Sequence, residues 1–441
     1  MGMNTRNILL FAGMAALIVL EGSTTFGGIF GGSWNTALFI LNFGLLSAIM
    51  ALGVNMQWGY AGLFNVGVVG FIALGGLAPV LIATPPVTEV WTAGGVGRLV
   101  FALIVGLGVI ALAIVLNHRL KGRVRLAALC VTLIGGFFLY RALFDPAVEV
   151  IEAFNPATNS NLGGLGLPVL LSWPVGALLA AGAAWLIGKT ALGLRSDYLA
   201  IATLGIGEII VAVLKNEDWL ARGVKNVIGI PRPVPYEVDL QASPAFVDFA
   251  AGFGAEPVVA STVVVKLLYA GLFLAILLLL TAASELALKS PWGRMMRAIR
   301  DNEVAAGAMG KNVTGRHLQI FILGSAVCGL AGAMMVTMDS LHNPGTYSPL
   351  RFTFLIWVMV IVGGSGNNWG AILGGFLISF LWLKVEAWGP AALEYLTAGM
   401  DPASPLREHL KDSAAHMRLI ALGLVLLLVL RFSPRGLIPE K

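Results

Sequence analysis

Long apolar segments follow one another along almost the whole chain, separated mostly by short loops. A helix needs about 20 apolar residues to cross a bilayer. With 58% hydrophobic and 12% charged residues, the chain carries far less charge than a soluble domain, which has about 25%. We predict an all-α, polytopic membrane bundle of about 10–12 transmembrane segments, some short or broken, forming one domain over residues 1–441. The apolar segments lie near 8–20, 34–54, 67–83, 98–116, 126–144, 168–188, 198–214, 262–283, 317–338, 353–363, 369–385 and 418–431.

Basic residues sort the loops into two sets. Lys and Arg close to membrane segments resist translocation, so short basic loops stay in the cytoplasm. An even number of crossings, with the N-terminus inside, puts every basic cluster on one side: 119–125, 189–195, 289–316 and 431–441. The acid-containing loops 145–167, 216–261 and 386–417 then lie outside. The pattern predicts cytoplasmic N- and C-termini, and it explains the net charge of +5 without any binding of nucleic acid.

The basic loop at 289–316 has the pattern of a short amphipathic helix. Ser290 can cap a helix with Pro291 in its first turn, and Gly310 can end it. One face of this predicted helix, over 291–309, carries Met295, Ile299, Asn302, Ala306 and Met309. A small-residue face turned to the cytosol predicts a docking surface, although a solvated loop without a partner is the alternative.

Two glycine-rich stretches interrupt the apolar pattern, at 57–67 and 363–370. Irregular backbone at membrane depth survives only where protein or a cavity satisfies it, and such a pair in the two halves of a transporter points to the substrate path. The alternative is tight helix packing through small residues, which we favour for the glycines at 70–76 and 374–375. The candidates for the translocation path are Gly59, Tyr60, Gly62, Asn65, Gly67, Gly364 and Gly366.

Glu208 is the one carboxylate well inside an apolar run. An ionisable group there is costly unless it faces a cavity or a partner, which makes it a further candidate for the path. Alternatively, it is protonated or hydrogen-bonded to a neighbouring helix and only braces the bundle.

The motifs of common enzyme classes do not occur. The sequence contains no Gly-x-x-x-x-Gly-Lys-Ser/Thr loop, no His-Glu-x-x-His, no Cys-x-x-Cys and no Gly-x-Ser-x-Gly. We therefore expect no catalytic residue, no bound cofactor and no metal in this chain.

Several of these stretches resemble the permeases of branched-chain amino-acid ABC importers. The resemblance spans most of 57–441 and is strongest at Gly293-Arg294, Ala298-Ile299-Arg300-Asp301, Met309-Gly310 and Gly329-Leu330-Ala331-Gly332-Ala333. It continues at 193–210, at Gly229-Ile230-Pro231-Arg232-Pro233 and at Arg431-Phe432-Ser433-Pro434-Arg435-Gly436-Leu437. The early stretch departs from the family at Leu63-Phe64-Asn65-Val66-Gly67, where many members have a more polar run.

The resemblance implies a permease subunit in a bacterial inner membrane, surrounded by lipid. It implies four partners: a second homologous permease, two ATP-binding cassette subunits that hydrolyse ATP, and a periplasmic or extracellular solute-binding protein. It also implies that the loop docks on an ATPase, through Gly293, Arg297, Arg300, Glu303, Ala305, Ala306 and Gly310. The alternatives are a urea or short-amide permease of the same family, and an ion-coupled secondary transporter that uses Glu208.

Overall fold

The structure, a computed structural model, describes residues 5–26, 30–92, 94–153, 161–401 and 404–440. The helices are α1 Thr5–Ser23, α2 Trp34–Ala61, α3 Val68–Ala83, α4 Thr88–Thr92, α5 Gly95–Arg119, α6 Gly122–Glu152, α7 Ser172–Ala191, α8 Ser196–Asn216, α9 Asp218–Ala221, α10 Glu237–Ala242, α11 Pro244–Gly252, α12 Pro257–Lys289, α13 Pro291–Asp301, α14 Glu303–Ala308, α15 Val313–Asp339, α16 Leu355–Gly363, α17 Asn368–Leu396, α18 Pro405–Asp412 and α19 Met417–Phe432. Short 3₁₀ turns lie at Val169–Leu171, Gly223–Lys225, Pro344–Thr346 and Ser413–His416, and a π-helical turn at Leu350–Phe354 leads into α16. Two small antiparallel ribbons pair β1 Thr25–Phe26 with β2 Phe30–Gly31, and β3 Val227–Ile228 with β4 Leu341–His342.

Nine helices in the described ranges are long and apolar enough to cross a membrane: α1, α2, α5, α6, α7 with its preceding 3₁₀ turn, α8, α12, α15 and α17. A tenth candidate is the pair α18 and α19, which is bent by 68°. The apolar helices α3 and Leu350–Gly363 are shorter. The 16 residues of α3 rise about 24 Å, less than the about 30 Å of a bilayer core. The prediction of an all-α polytopic bundle with short or broken segments is confirmed.

The core lies where α2, α15 and α17 pack among α3, α7, α12 and α16. The backbones of α3 and α15 approach so closely that a Cβ on Gly75 would overlap the carbonyl oxygen of Gly329. Gly374 stands in the same relation to the carbonyl oxygen of Met359, across the α16–α17 contact. Glycine therefore serves close helix packing at these positions, as we predict for 70–76 and 374–375.

Helices α5 and α6 form a peripheral hairpin. They pack mainly on each other, and most of their side chains are exposed, large apolar ones included. At one end, Phe144 packs edge-on against Trp219, which follows α8, and the Glu152 carboxylate accepts a hydrogen bond from the backbone N–H of Trp219. The hairpin therefore contacts the bundle beside the C-terminal end of α8.

Both terminal segments lie at one end of the bundle. Arg6 donates a hydrogen bond to the carbonyl oxygen of Leu437 at 3.0 Å. Because helices alternate in direction, this end, called here the docking end, also holds α13, α14 and the α7–α8 and α16–α17 turns. The opposite end holds the β3–β4 ribbon and α9 to α11. Two predicted outer loops begin as helix, since α6 continues to Glu152 and α17 to Leu396. Residues 154–160, 402 and 403 of these loops lie outside the described ranges.

Candidate functional site: the docking end

The predicted helix over 291–309 is two helices. Ser290 caps α13, accepting from the N–H of Gly293, with Pro291 in the first turn. The chain then turns at Asn302, whose side chain accepts from the N–H of Ala305 at 2.9 Å and so caps α14. Gly310, at φ +75°, follows the end of α14, as predicted. The single continuous helix was wrong because an Asn cap satisfies the N–H groups that the break leaves open.

The predicted stripe on this segment is also wrong in part. The buried residues are Gly293, Met296, Ile299 and Ala306. Met309 is 79% exposed and Val304 is 83% exposed, so α14 and the residue that follows it present large apolar side chains to the surroundings. Of the predicted docking residues, Glu303, Ala305 and Gly310 are exposed, Arg297 and Arg300 are partly buried, and Gly293 and Ala306 pack inward.

Arg300 joins α13 to two other parts of the chain. Its guanidinium donates to the carbonyl oxygen of Gly59 near the end of α2, and to the carboxylate of Glu440 at 2.8 Å. It also pairs with Asp301 at 3.2 Å. Partial burial opposes the charge, but the hydrogen bonds and negative charges of Glu440 and Asp301 raise the pKa of Arg300. The guanidinium is therefore a permanent cation at this junction.

The two glycine-rich stretches meet beside Arg300. The N–H of Gly366 donates to Asn55 Oδ1 at 2.9 Å, and a Cβ on Gly59 would overlap both of these residues. Tyr60 donates to Asn368 Oδ1 at 2.7 Å, and Asn368 Nδ2 donates to Glu285 at 3.0 Å. The structure thus brings together Gly59, Tyr60 and Gly366, and it adds Asn55, Asn368 and Glu285.

Gly364, at φ +119°, lies in close contact with the C-terminal segment. A Cβ there would overlap the carbonyl oxygen of Ile438, and the N–H of Ile438 donates to the carbonyl oxygen of Gly363 at 2.8 Å. Asn367 also donates to the carbonyl oxygen of Pro439 at 3.2 Å. Ile438 and Pro439 therefore pack against the α16–α17 turn.

Asn65 has a structural environment. Its amide donates to Gln57 Oε1 at 2.8 Å and accepts from the N–H of Gly67 at 3.0 Å, and its carbonyl oxygen accepts from Trp357 at 3.0 Å. Gln57 in turn donates to Phe321 and Ser325 of α15. These buried groups satisfy one another, so Asn65 shapes the α2–α3 turn. Gly62, at φ +68°, ends α2 as a left-handed cap.

Glu208 lies apart from this network. Thr203 and Gly207 of α8 face the α2–α3 turn just before α3. There, the N–H of Val66 donates to Thr203 Oγ1 at 3.0 Å and Gly67 packs against Gly207. That contact turns Glu208 to the opposite, exposed face. Glu208 has no hydrogen bond or ion pair with any other described residue. The alternative of a brace hydrogen-bonded to a neighbouring helix of this chain is therefore wrong for the described part of the chain.

Two cavities flank α13 at the docking end. The larger, of about 230 Å³, is lined in part by Tyr60, Glu285, Lys289, Arg297 and Asn368. The smaller, of about 150 Å³, lies between α13 and the α7–α8 turn, with Arg300 and Glu303 in its wall. Motion of α13 relative to the bundle would change both cavities.

Comparison with known proteins finds a protein family and individual relatives that are similar to this chain. The family described as branched-chain amino acid transport system / permease component matches residues 149–430. The high-affinity branched-chain amino acid transport system permease protein LivM of Salmonella typhimurium is 30% identical over 268 residues, covering 60% of this chain and 59% of the relative. The chain thus spans somewhat less than two thirds of that relative's length.

Two relatives come from Methanocaldococcus jannaschii. A probable LivM permease protein is 25% identical over 407 residues, covering 92% of this chain and 93% of the relative. A probable LivH permease protein is 30% identical over 185 residues, covering 41% and 50%. No solved structure matches the chain significantly. The matched residues include the docking helices, α8 and the α16–α17 turn, and the chain belongs to the family of permease components of branched-chain amino acid transport systems.

Proposed function

We propose that this chain is the membrane permease subunit of an ATP-driven importer for branched-chain amino acids. The observation that carries the proposal is the junction at Arg300. There, Arg300 joins α13 to the end of α2 and to the C-terminal segment. The adjoining α14 exposes Val304, and Met309 is exposed just after its end. An ATPase subunit that binds α13 and α14 can move these helices together with the end of α2 and the C-terminal segment.

In this proposal two ATP-binding cassette subunits dock on α13 and α14 from the cytoplasm, and they bind and hydrolyse the ATP. A solute-binding protein delivers the amino acid at the opposite end, and a second permease subunit completes the path. The chain itself is not an enzyme and carries no cofactor. It lies in the cytoplasmic membrane with both termini inside, which agrees with the basic residues of the docking end.

In this proposal, ATP binding is coupled to transport because the ATPase pair contacts two positions of α13 and α14 differently. ATP binding closes the ATPase pair, and the closed pair fits one position of α13 and α14 better than another. Arg300 carries the displacement to Gly59 and Glu440, and so to the glycine-rich junction of α2 with the α16–α17 turn. Because these backbones are close-packed, they favour discrete arrangements over gradual deformation.

The test is uptake into proteoliposomes that contain this chain with the two ATPases and the second permease of the proposed complex. Leucine uptake that requires the binding protein and ATP supports the proposal. Preference for urea or acetamide over leucine would change the substrate class. Uptake without ATP, driven by an imposed proton gradient, would refute it in favour of a secondary transporter. An ATPase variant that binds but cannot hydrolyse ATP is the control.

A further inference from the structure

We propose that the exposed face of α8, formed by Ile201, Gly205, Glu208, Ile209 and Ala212, packs against a membrane helix of the second permease subunit. This inference rests on the proposed function, because it needs such a subunit. It adds which surface meets that subunit and which chemistry the subunit must bring there. The five positions share one side of the helix, since residues three or four apart are neighbours on its surface.

The first argument is the position of a carboxylate. Glu208 lies close to the middle of α8 (Ser196–Asn216), on its exposed face. A carboxyl group at that depth is unstable against hydrocarbon, whether it stays charged or is neutralised without a hydrogen-bond partner. Lipid is therefore a poor occupant of this face.

The exposed face of α12 differs from this one. On α12 the exposed side chains include Val259, Leu267, Leu274, Leu278 and Leu286, which suit lipid tails. Three acidic residues that lie inside other long helices have partners within the chain. Asp145 pairs with Arg141, Glu285 accepts from Asn368, and Glu386 pairs with Arg418.

The second argument is that α8 cannot turn Glu208 inward. The hydrogen bond from Val66 to Thr203 and the contact of Gly207 with Gly67 fix the rotation of the helix against α3. A Cβ on Gly67 would overlap the carbonyl oxygen of Thr203, so there is no room for a larger group on that side. The open face of α8 is a fixed surface.

The third argument is the shape and chemistry of the face. A Cβ on Gly205 would meet no atom within 4 Å, and Ala212 is exposed, so a second helix can approach closely. Ile201 and Ile209 are 70% and 62% exposed, and such side chains favour contact with a helix over a water-filled wall. The face therefore fits a helix that offers apolar contact on its flanks and a hydrogen-bond donor or a cation opposite Glu208.

A permease related to this chain, but not identical to it, fits best. A symmetric pair of α8 helices would bring two Glu208 carboxylates towards each other, and like charges at close range disfavour that arrangement. A related chain can keep the same helix and carry a different residue at the facing position. The LivH relative, at 30% identity over 185 residues, is an example of a permease chain of this kind.

The test uses the complete complex in native membranes, with a photocrosslinking amino acid at Ile209. The matched control carries it at Leu278, which is 54% exposed on α12. We expect a covalent product with the second permease subunit from position 209 and none from position 278. Copurification of that subunit without a product at 209 would overturn the assignment of this face, and a product between two copies of this chain would overturn the choice of partner. Failure of the second subunit to copurify with the unsubstituted chain would instead refute the proposed function.

Two substitutions give a separate measurement. Glu208→Leu should leave the chain folded in the membrane, but most of the second subunit should no longer copurify. The reason is that the hydrogen-bond donor of the second subunit is left without an acceptor. Glu208→Gln keeps an acceptor and should retain much more of that subunit. If Glu208 faces lipid, Glu208→Leu should instead raise the yield of the chain and leave copurification unchanged, which would overturn the proposal.

Discussion

Arg300 and Glu440, 140 residues apart in the sequence, form an ion pair with 2.8 Å between guanidinium nitrogen and carboxylate oxygen. The same guanidinium nitrogen also donates to the carbonyl oxygen of Gly59. One side chain thus joins the docking helix, the C-terminal segment and the end of α2, which are distant in sequence.

Replacing Arg300 should uncouple the transporter. Arg300→Ala removes the ion pair and leaves the Gly59 carbonyl without its side-chain donor, a loss of about 1–3 kcal/mol at that contact. We expect substrate-stimulated ATP hydrolysis in the reconstituted complex to fall to near the basal rate. Glu440→Gln should have a smaller effect, since a partly exposed ion pair contributes only about 0–1 kcal/mol. Arg123→Ala, at an exposed position of α6 away from the docking helices, is the control; equal losses in all three variants would argue against a special role for this junction.

The exposed apolar side chains of α14 and its end should bind the ATPase. Val304→Asp and Met309→Asp each place a charge where apolar contact is expected, and we predict that both lower the amount of ATPase that copurifies with the chain. Val224→Asp is the matched control, because Val224 is 64% exposed at the opposite end. Wild-type recovery of the ATPase with both α14 variants would exclude this surface. Ala306→Trp is a poorer test, because Ala306 packs inward and its replacement disturbs the chain itself.

Cysteine labelling tests the orientation. In a background without Cys130 and Cys328, the two cysteines of the chain, a membrane-impermeant maleimide applied outside should modify Val238→Cys, which is 71% exposed in α10. Lys311→Cys, between α14 and α15, should react only after the membrane is permeabilised. Labelling of Lys311→Cys in intact cells would invert the topology and put the docking helices on the wrong side for an ATPase.

His342 should make the protein less stable in acid. Burial lowers the pKa of His342 to about 4 from an ordinary value of 6.5. The folded state therefore holds the neutral ring, and the unfolded state takes up the proton first as pH falls. The stability that the neutral ring contributes is complete above about pH 6.5 and is lost towards pH 4, up to about 3 kcal/mol.

The measurement is the thermal unfolding midpoint of the purified protein at pH 7 and pH 5. The wild type should lose more stability on acidification than His342→Gln, which has no titrating group at this site. His409→Gln serves as a comparison, since His409 lies in an exposed helix. Equal acid sensitivity in wild type and His342→Gln would show that other groups control the pH dependence.

The sequence predicted what depends on local properties. The length of the apolar segments predicted the membrane helices, because insertion into lipid depends on the segment itself. Ser290 and Gly310 gave the two ends of the docking segment, because capping is also local. The break at Asn302 was missed, since an Asn can lie inside a helix or cap one, and the packing of Ile299 and Ala306 decides between them.

Long-range contacts could not be predicted from the sequence. The Arg300–Glu440 pair and the network of Asn55 with Asn368 join segments whose spacing along the chain carries no signal. The direction of Glu208 depends on the fit of Gly67 against Gly207, so the sequence could mark the residue as unusual without giving the side it faces. An amide pair such as Gln57 and Asn65 in an otherwise apolar stretch was the one available sign of the buried network there.

Glu208→Gln separates the two energy sources that remain for transport. The substitution preserves size and most hydrogen-bonding capacity but removes the charge, and hydrogen bonds between membrane helices are typically worth only about 1 kcal/mol. If ATP drives uptake and Glu208 accepts a hydrogen bond from a neighbouring subunit, the variant should transport leucine at a rate close to wild type. If Glu208 carries a proton, uptake should collapse and lose its pH dependence. The measurement is leucine uptake by wild type and variant, with ATP present or depleted, and with or without an imposed proton gradient. Uptake that persists without ATP, follows the gradient and disappears in Glu208→Gln would assign the coupling to this carboxylate and contradict the ATP-driven mechanism.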